Sequence, residues 1–423
     1  MSTLKLKGSS SGEVGVTVPA TVANQTITFP AAAPTAGTSL KATDTTGTLE
    51  WGSSSVALVN SVTGRIVKDT ATNIDIRVSG ITGTVSIKYY EGATLHATVA
   101  SQTVTNGKIT TAVPAAVYDE TVGDVISIEV VDSGGSASSN KYDVEVVALP
   151  TGGTVTTDGS AKIHTFTETD TFFNTIDGLS VEYLVIGGGG SASGYSAHGG
   201  GGGAGGYLTG TFSHLDAGSY DARIGAGAPG GNYNYGQGED AYNVTYNVHS
   251  GQQGSPSYFN GIKALGGGRG GGGTGVGGDN NGGDGASGGG AKVGASAGSG
   301  TAGQGNNGGT GAGSGNPSAA GGGGGAGAVG SNGTSGNGGA GGAGAASSIT
   351  GSSVTRAGGG GGSVYSGTGG SGGSGGGGDG KNSGGGDGGD GTANTGGGGG
   401  GCAALNVYGG NGGSGVVILK YTP

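Results

Sequence analysis

Between positions 266 and 401 half of all residues are glycine, and this stretch limits what the chain can fold into more than any other. Runs at 321–325, 358–362, 375–378 and 396–401 are spaced by Ala, Ser, Asn and Asp. No ordinary core can be built from them, because there is almost nothing apolar to bury. Yet strand-like apolar segments bracket the stretch, at 180–186 before it and 415–421 after it. The second of these needs a sheet partner, and the nearest apolar sheet material lies at 155–224. Pairing between them makes the glycine-rich stretch a loop system that leaves one β domain and returns to it.

A returning insert is either a flexible linker or an ordered array. Ordering glycine costs more backbone entropy than ordering any other residue, so dense hydrogen bonding must compensate. In the polyproline II conformation the chain has three residues per turn, a rise of about 3.1 Å and no internal hydrogen bonds. All its N–H and C=O groups point outward, and only glycine lets such helices approach on every side. At about 1 kcal/mol net per hydrogen bond, several helices together can offset the entropy and one cannot. Clusters that break the runs read as turns: Gly278-Asp-Asn-Asn-Gly282, Gly305-Asn-Asn-Gly308, Gly315-Asn-Pro-Ser-Ala-Ala-Gly321 and Gly380-Lys-Asn-Ser-Gly384. The expectation is an ordered array.

Charge narrows the function classes. Only 10% of the 423 residues are charged, with a net charge of −10 and no Lys/Arg cluster. A nucleic-acid partner requires a basic footprint, so none is expected. A single cysteine, Cys402, rules out an intrachain disulfide and fits assembly in a reducing cytoplasm. The first residues, Met1-Ser-Thr-Leu-Lys, lack the apolar core of a signal peptide. No apolar stretch approaches the ~20 residues of a membrane helix, so membrane insertion is not expected.

Three domains are expected in a mainly β chain with almost no helix. Residues 1–54 form a small β module with strands near Gly15-Val-Thr-Val18 and Gln25-Thr-Ile-Thr-Phe29. It is too poor in large apolar residues to fold alone and is assigned to attachment and oligomerisation. Residues 55–150 read as an immunoglobulin-like sandwich with strands at 73–78, 83–90, 95–99, 125–131 and 141–147, separated by turn signals at Glu91-Gly92, Asn106-Gly107 and Ser133-Gly-Gly135. Residues 151–423 form the glycine-rich domain, with a β scaffold at 151–265 and 412–423 and the array at 266–411.

Two sets of motifs resemble known proteins. Thr26-Ile-Thr-Phe-Pro30, Ala36-Gly-Thr-Ser-Leu-Lys41 and Gly47-Thr-Leu-Glu-Trp-Gly52 resemble a module of bacteriophage tail-fibre proteins. Tyr183-Leu-Val-Ile-Gly-Gly-Gly-Gly190, Gly199-Gly-Gly-Gly-Gly-Ala-Gly-Gly206 and Gly410-Asn-Gly-Gly-Ser-Gly-Val-Val-Ile-Leu419 resemble the glycine-rich domain of phage tail proteins, including adhesins built on a polyglycine sandwich. The resemblance implies a virion fibre assembled in the host cytoplasm, attached to other tail proteins through residues 1–54. It also implies a homotrimer, and distal loops that touch a host receptor, either a glycan or an outer-membrane protein. A fibre subunit without receptor contact and a secreted bacterial adhesin are the alternatives.

Recognition is expected in tyrosine-bearing islands. The richest runs from 231 to 259 and holds Tyr233, Tyr235, Tyr242, Tyr246, His249, Tyr258 and Phe259 among Asn and Gln, the composition of binding loops. Smaller islands carry Tyr195, Tyr365 and Tyr408. Motifs of other classes fail on inspection. Gly225-Ala-Gly-Ala-Pro-Gly230 has the dinucleotide-binding spacing but no following helix pattern or placed acid. Gly369-Gly-Ser-Gly-Gly373 has the nucleophile-elbow spacing but no later histidine. Gly385-Gly-Asp-Gly-Gly-Asp390 opens like a calcium-binding repeat but stands alone. The five histidines lack metal-ligand spacing, so no enzyme, cofactor or metal site is expected.

Overall fold

The computed structural model describes residues 57–133, 138–194, 198–231, 251–272, 280–313, 318–404 and 407–423, with the backbone of four strands before residue 54. It divides into two compact units, Met1–Val147 and Ala148–Pro423. The linker expected at 150–153 thus falls just inside the second unit.

In the first unit, β1 (Ser2–Lys7) pairs with β2 (Glu13–Val18), and β3 (Thr38–Ala42) pairs with β4 (Leu49–Ser53). The third strand expected here, at 25–29, lies outside the described residues. A sandwich follows. Its smaller sheet has the order β10 (Lys108–Ala112), β7 (Asn73–Ser79), β5 (Leu58–Thr63). The larger has the order β6 (Ile66–Val67), β12 (Tyr142–Val147), β11 (Val125–Asp132), β8 (Gly83–Glu91), β9 (Thr94–Val104). Period-2 alternation puts Ile74, Ile76 and Val78 of one sheet against Val85, Ile87, Tyr89, Ile126 and Ile128 of the other in one buried cluster. The five expected strands are present. The sequence reading missed β5, β6, β10 and the four-residue helix α1 (Ala115–Tyr118). At Asn106-Gly107 both φ values are positive, at 52° and 71°, as a two-residue turn between twisted strands requires.

In the second unit all strand pairs are antiparallel. A five-stranded sheet has the order β13 (Thr154–Asp158), β14 (Ala161–Phe166), β23 (Val416–Tyr421), β16 (Leu179–Ile186), β17 (Tyr207–Leu215). The returning strand β23 is therefore central, bonded to β14 on one side and β16 on the other. Buried on both faces, it reads as a continuous apolar run rather than an alternating one. A second sheet has the order β15 (Asp170–Asn174), β18 (Gly218–Arg223), β19 (Ser257–Phe259), β20 (Ile262–Ala264).

Aromatic rings join the two sheets. Phe172 of β15 lies edge-on to His164 of β14 at 5.1 Å and 6.2 Å from Phe259 of β19. On its other face the five-stranded sheet sets Ile163, Leu184, Ile186, Val416 and Ile418 against Ala204, Ile349 and Ala357. Ile349 lies between the short strands β21 (Ala345–Ser347) and β22 (Val354–Arg356).

His164 is fully buried in the aromatic layer. Its Nδ1 donates to the Gly152 carbonyl (2.7 Å), which leaves Nε2 to accept from the Tyr421 hydroxyl (3.3 Å). Burial lowers its pKa below the ordinary value, against the smaller opposing pull of the Gly152 carbonyl. The unfolded chain therefore binds more protons between the two values. Stability is complete above the unfolded value of 6.5 and is lost as pH falls through it towards the depressed folded value. Urea unfolding between pH 7 and pH 5 should show a loss of up to about 1.4 kcal/mol per pH unit, and His164→Gln should flatten that slope.

Candidate recognition surface

Glycine runs continue directly from the strand ends. The run 187–194 follows β16, 225–231 follows β18 and 266–272 follows β20, while 199–206 leads into β17, 251–256 into β19 and 409–415 into β23. The array thus starts at 187 rather than 266. One fully enclosed run, 199–206, lies in what the sequence reading counted as scaffold.

Hydrogen bonds around that run repeat every third residue, as three residues per turn demand. The amides of Gly200, Gly203 and Gly206 donate to the carbonyls of Gly271, Gly268 and Leu265, each at 2.8 Å. Those of Gly201 and Ala204 donate to Gly321 and Gly324, and those of Gly199, Gly202 and Gly205 to Cys402, Gly399 and Gly396. In return, Gly190 and Gly187 donate to Gly203 and Gly206, Gly290 and Ser287 to Gly201 and Ala204, and Ser363 and Gly360 to Gly199 and Gly202. Six neighbouring runs surround this one, as close packing of such helices predicts. A Cβ placed on Gly200, Gly201, Gly202, Gly203 or Gly205 would stand 2.0–2.1 Å from a neighbouring carbonyl oxygen. None of these glycines has a positive φ, so the requirement is space rather than left-handed backbone. Ala204 is tolerated because its methyl joins the apolar cluster on the sheet.

At the flank of the array, Asp and Asn side chains replace missing neighbours. Asp387 and Asp390 accept from the amides of Tyr408 (2.8 Å) and Asn411 (2.7 Å). Asn281 and Asp284 accept from Ser296 and Ser299, and Asp379 accepts from Gly372. The apparent calcium-repeat start at 385–390 is thus part of this edge satisfaction. The apparent dinucleotide motif at 225–230 is an array run, packed so closely that a Cβ on Gly227 would meet the Gly412 oxygen at 1.9 Å.

The expected turns are partly displaced. Gly385 closes on Asn382 (3.0 Å) as expected at 380–384. Asn306, expected in a turn, instead lies in a run, where its carbonyl accepts from Gly288 and its amide bonds the carbonyls of Gly325 and Ala326. The turn falls at 301–304, with Gly303 at φ 80°. The two remaining clusters fall partly outside the described residues.

Opposite the sheet, the run ends converge. Gly231 donates to Ala192 and Gly409 to Gly231 (both 3.0 Å), Gly199 to Cys402 (3.1 Å), and Ser363 to Gly199 (3.0 Å). Those ends flank the segments that carry Tyr195, Tyr233, Tyr235, Tyr242, Tyr246 and His249, six candidates that lie outside the described residues. Tyr365 is at this end, 43% exposed, with its ring 6.0 Å from that of His198. His198 is buried at φ 71° and its Nε2 bonds the Ser318 hydroxyl at 2.7 Å. Tyr408, 45% exposed, borders a groove of about 300 Å³ with Asp387, Asp390 and Asn411. A second groove, of about 490 Å³, is lined by Thr368, Ser371, Asp379, Lys381 and Asn382.

Tyr258 does not join this group. It stands on β19, in register with Lys263 and Arg223, at the sheet end of runs that are on the order of 20 Å long. Its neighbour Phe259 is fully buried in the core. The described part of the island read as one unit at 231–259 is therefore divided between array, at 251–256, and sheet, at 257–259. Asp379, Lys381, Asp387, Asp390 and Asn411 were not singled out as recognition residues, and the three-residue spacing of Asp387 and Asp390 was the signal available. Among the described residues no helix is long and apolar enough to cross a membrane.

Comparison with known families gives a match to the glycine-rich domain over residues 165–422, more than half of the chain. No curated protein matches it.

Proposed function

The chain belongs to the glycine-rich domain family, and we propose that its array is the rigid stem of a non-enzymatic virion fibre or adhesin that binds a host cell surface. The observation that carries this reading is the convergence of run ends opposite the sheet. Loops anchored on a continuously hydrogen-bonded array lose little further entropy on binding, and tyrosines present rigid amphipathic area at low entropic cost. Tyr365 and Tyr408 are exposed, Tyr408 lines a groove with Asp387, Asp390 and Asn411, and a second groove offers carboxylate, amide and hydroxyl groups, chemistry suited to a glycan or a polar protein receptor. In this reading residues 1–54 attach the chain to other tail proteins, the assembly is a homotrimer, and the protein resides in the virion after assembly in the host cytoplasm.

The test is adsorption of assembled particles to host cells. Replacing Tyr233, Tyr235, Tyr242 and Tyr246 together with Ala, and separately Tyr365 and Tyr408, should lower adsorption by about tenfold or more per set with normal incorporation of the subunit. Unchanged adsorption with normal incorporation would instead make the chain a structural fibre subunit.

A further inference from the structure

At the end of the five-stranded sheet away from the array, three side chains that sequence spacing does not associate come together. Asp177 lies in the loop between β15 and β16, and His214 and Asp216 stand at the turn from β17 to β18. One ligand atom from each lies within 4.8 Å of the others. We propose that Asp177, His214 and Asp216 form a binding site for a divalent transition cation such as Zn²⁺, which clamps the 175–178 loop to the β17–β18 turn.

The donor set is the first argument. One imidazole and two carboxylates suit zinc and its neighbours better than the all-oxygen shell of calcium or magnesium. Bonds of about 2.1 Å around a tetrahedral ion put ligand atoms about 3.4 Å apart, and His214 Nε2 stands 3.2 Å from Asp216 Oδ1. All three residues are exposed, so water can complete the shell and the ion has a path in.

The supporting structure is the second argument. Buried Asn174 ties the two loops together: its amide nitrogen lies 2.7–3.0 Å from the carbonyls of Ile176, Leu215 and Asp216, and its Oδ1 accepts from the Ile176 amide. Asp177 Oδ1 accepts from the Ala217 amide at 3.3 Å, which fixes that carboxylate towards the turn. Gly178, at φ 65°, leaves room for the His214 ring, since a Cβ there would stand 2.9 Å from its Cε1. Outer groups that hold ligands in place are what separate a metal site from a chance surface cluster.

Calorimetric titration of the full chain, dialysed free of metal at neutral pH, tests the site with Zn²⁺ as probe. The expected result is one saturable site per chain, weakened about tenfold or more by either His214→Ala or Asp177→Asn. Because these side chains are exposed, the variants should melt like the unaltered chain without zinc. In the other group of this composition, Glu91, His96 and Glu120, the two carboxylates face different ring nitrogens of His96, an arrangement for ion pairing rather than one shared cation, so His96→Ala should leave binding unchanged. No binding up to millimolar zinc, full binding by His214→Ala, or loss of binding in His96→Ala would each overturn the assignment.

Discussion

Gly202→Ala is expected to destabilise the C-terminal unit severely, by about 3–5 kcal/mol, while Gly384→Ala leaves its stability unchanged. Both residues sit in glycine-rich sequence, so composition alone does not distinguish them. At Gly202 a Cβ would meet the Gly190 oxygen at 2.1 Å and two further backbone atoms at 2.7 and 3.0 Å. These are main-chain atoms of a run that is itself enclosed, so no side chain can turn aside. Relief requires parting two helices, which breaks the three-residue ladder along both. A cost of about 3–5 kcal/mol places this change among the severe ones and takes a large part of a typical domain stability of about 5–15 kcal/mol. At Gly384 the nearest atom to an added Cβ is Asn382 Oδ1 at 3.9 Å, an ordinary contact. Thermal or urea unfolding followed by circular dichroism separates the two variants. Equal behaviour of the pair would mean that the run is not closely packed.

Ending the chain after Gly415 should have a still larger effect. It removes β23, and with it the partner of both β14 and β16. The lost strand buries Val416, Val417, Ile418, Leu419 and Tyr421, each contributing about 1.5–3 kcal/mol on burial. Their sum is comparable with the whole stability of a typical domain, about 5–15 kcal/mol. Tyr421 also gives His164 its second hydrogen bond. The truncated chain should expose the array segments to protease while the sandwich of the first unit stays resistant. Resistance of both units would show that the array folds without its sheet.

The contrast between these two changes tracks what was readable beforehand. An apolar hexamer after so much glycine has no physical sense without a sheet to complete, and pairing of β23 with the strands before the array followed from that need. The ordered array followed in turn, because a loop that returns into a central strand is held at both ends. The sandwich strands β7, β8 and β11 were visible through alternation of apolar and polar residues, whereas β6 has only two residues and no period to read.

The site was less legible. The sequence reading expected three residues per turn in the array but did not look for that period among the polar side chains. That period is present in Asp387-Gly-Gly-Asp390, in Asn281-Gly-Gly-Asp284, and in the spacing of Tyr408, Asn411 and Ser414. It marks the exposed side of edge helices, where a side chain has room and an outward amide needs an acceptor. The island at 231–259 was read by composition alone, which cannot separate Phe259 in the core from Tyr258 on the sheet surface. Likewise, Asp177 and His214 are distant in sequence and become neighbours only through the pairing of β16 with β17.

Hydrogen–deuterium exchange over residues 199–206 tests the central claim, an ordered polyglycine array, without altering the chain. The amide hydrogens of this run are donated inside the array and to Leu265 at its edge. They should exchange only through opening of the whole unit and be protected to the same degree as those of β16 and β23. Exchange of this run at the rate of an unstructured peptide, with β16 and β23 still protected, would contradict the account.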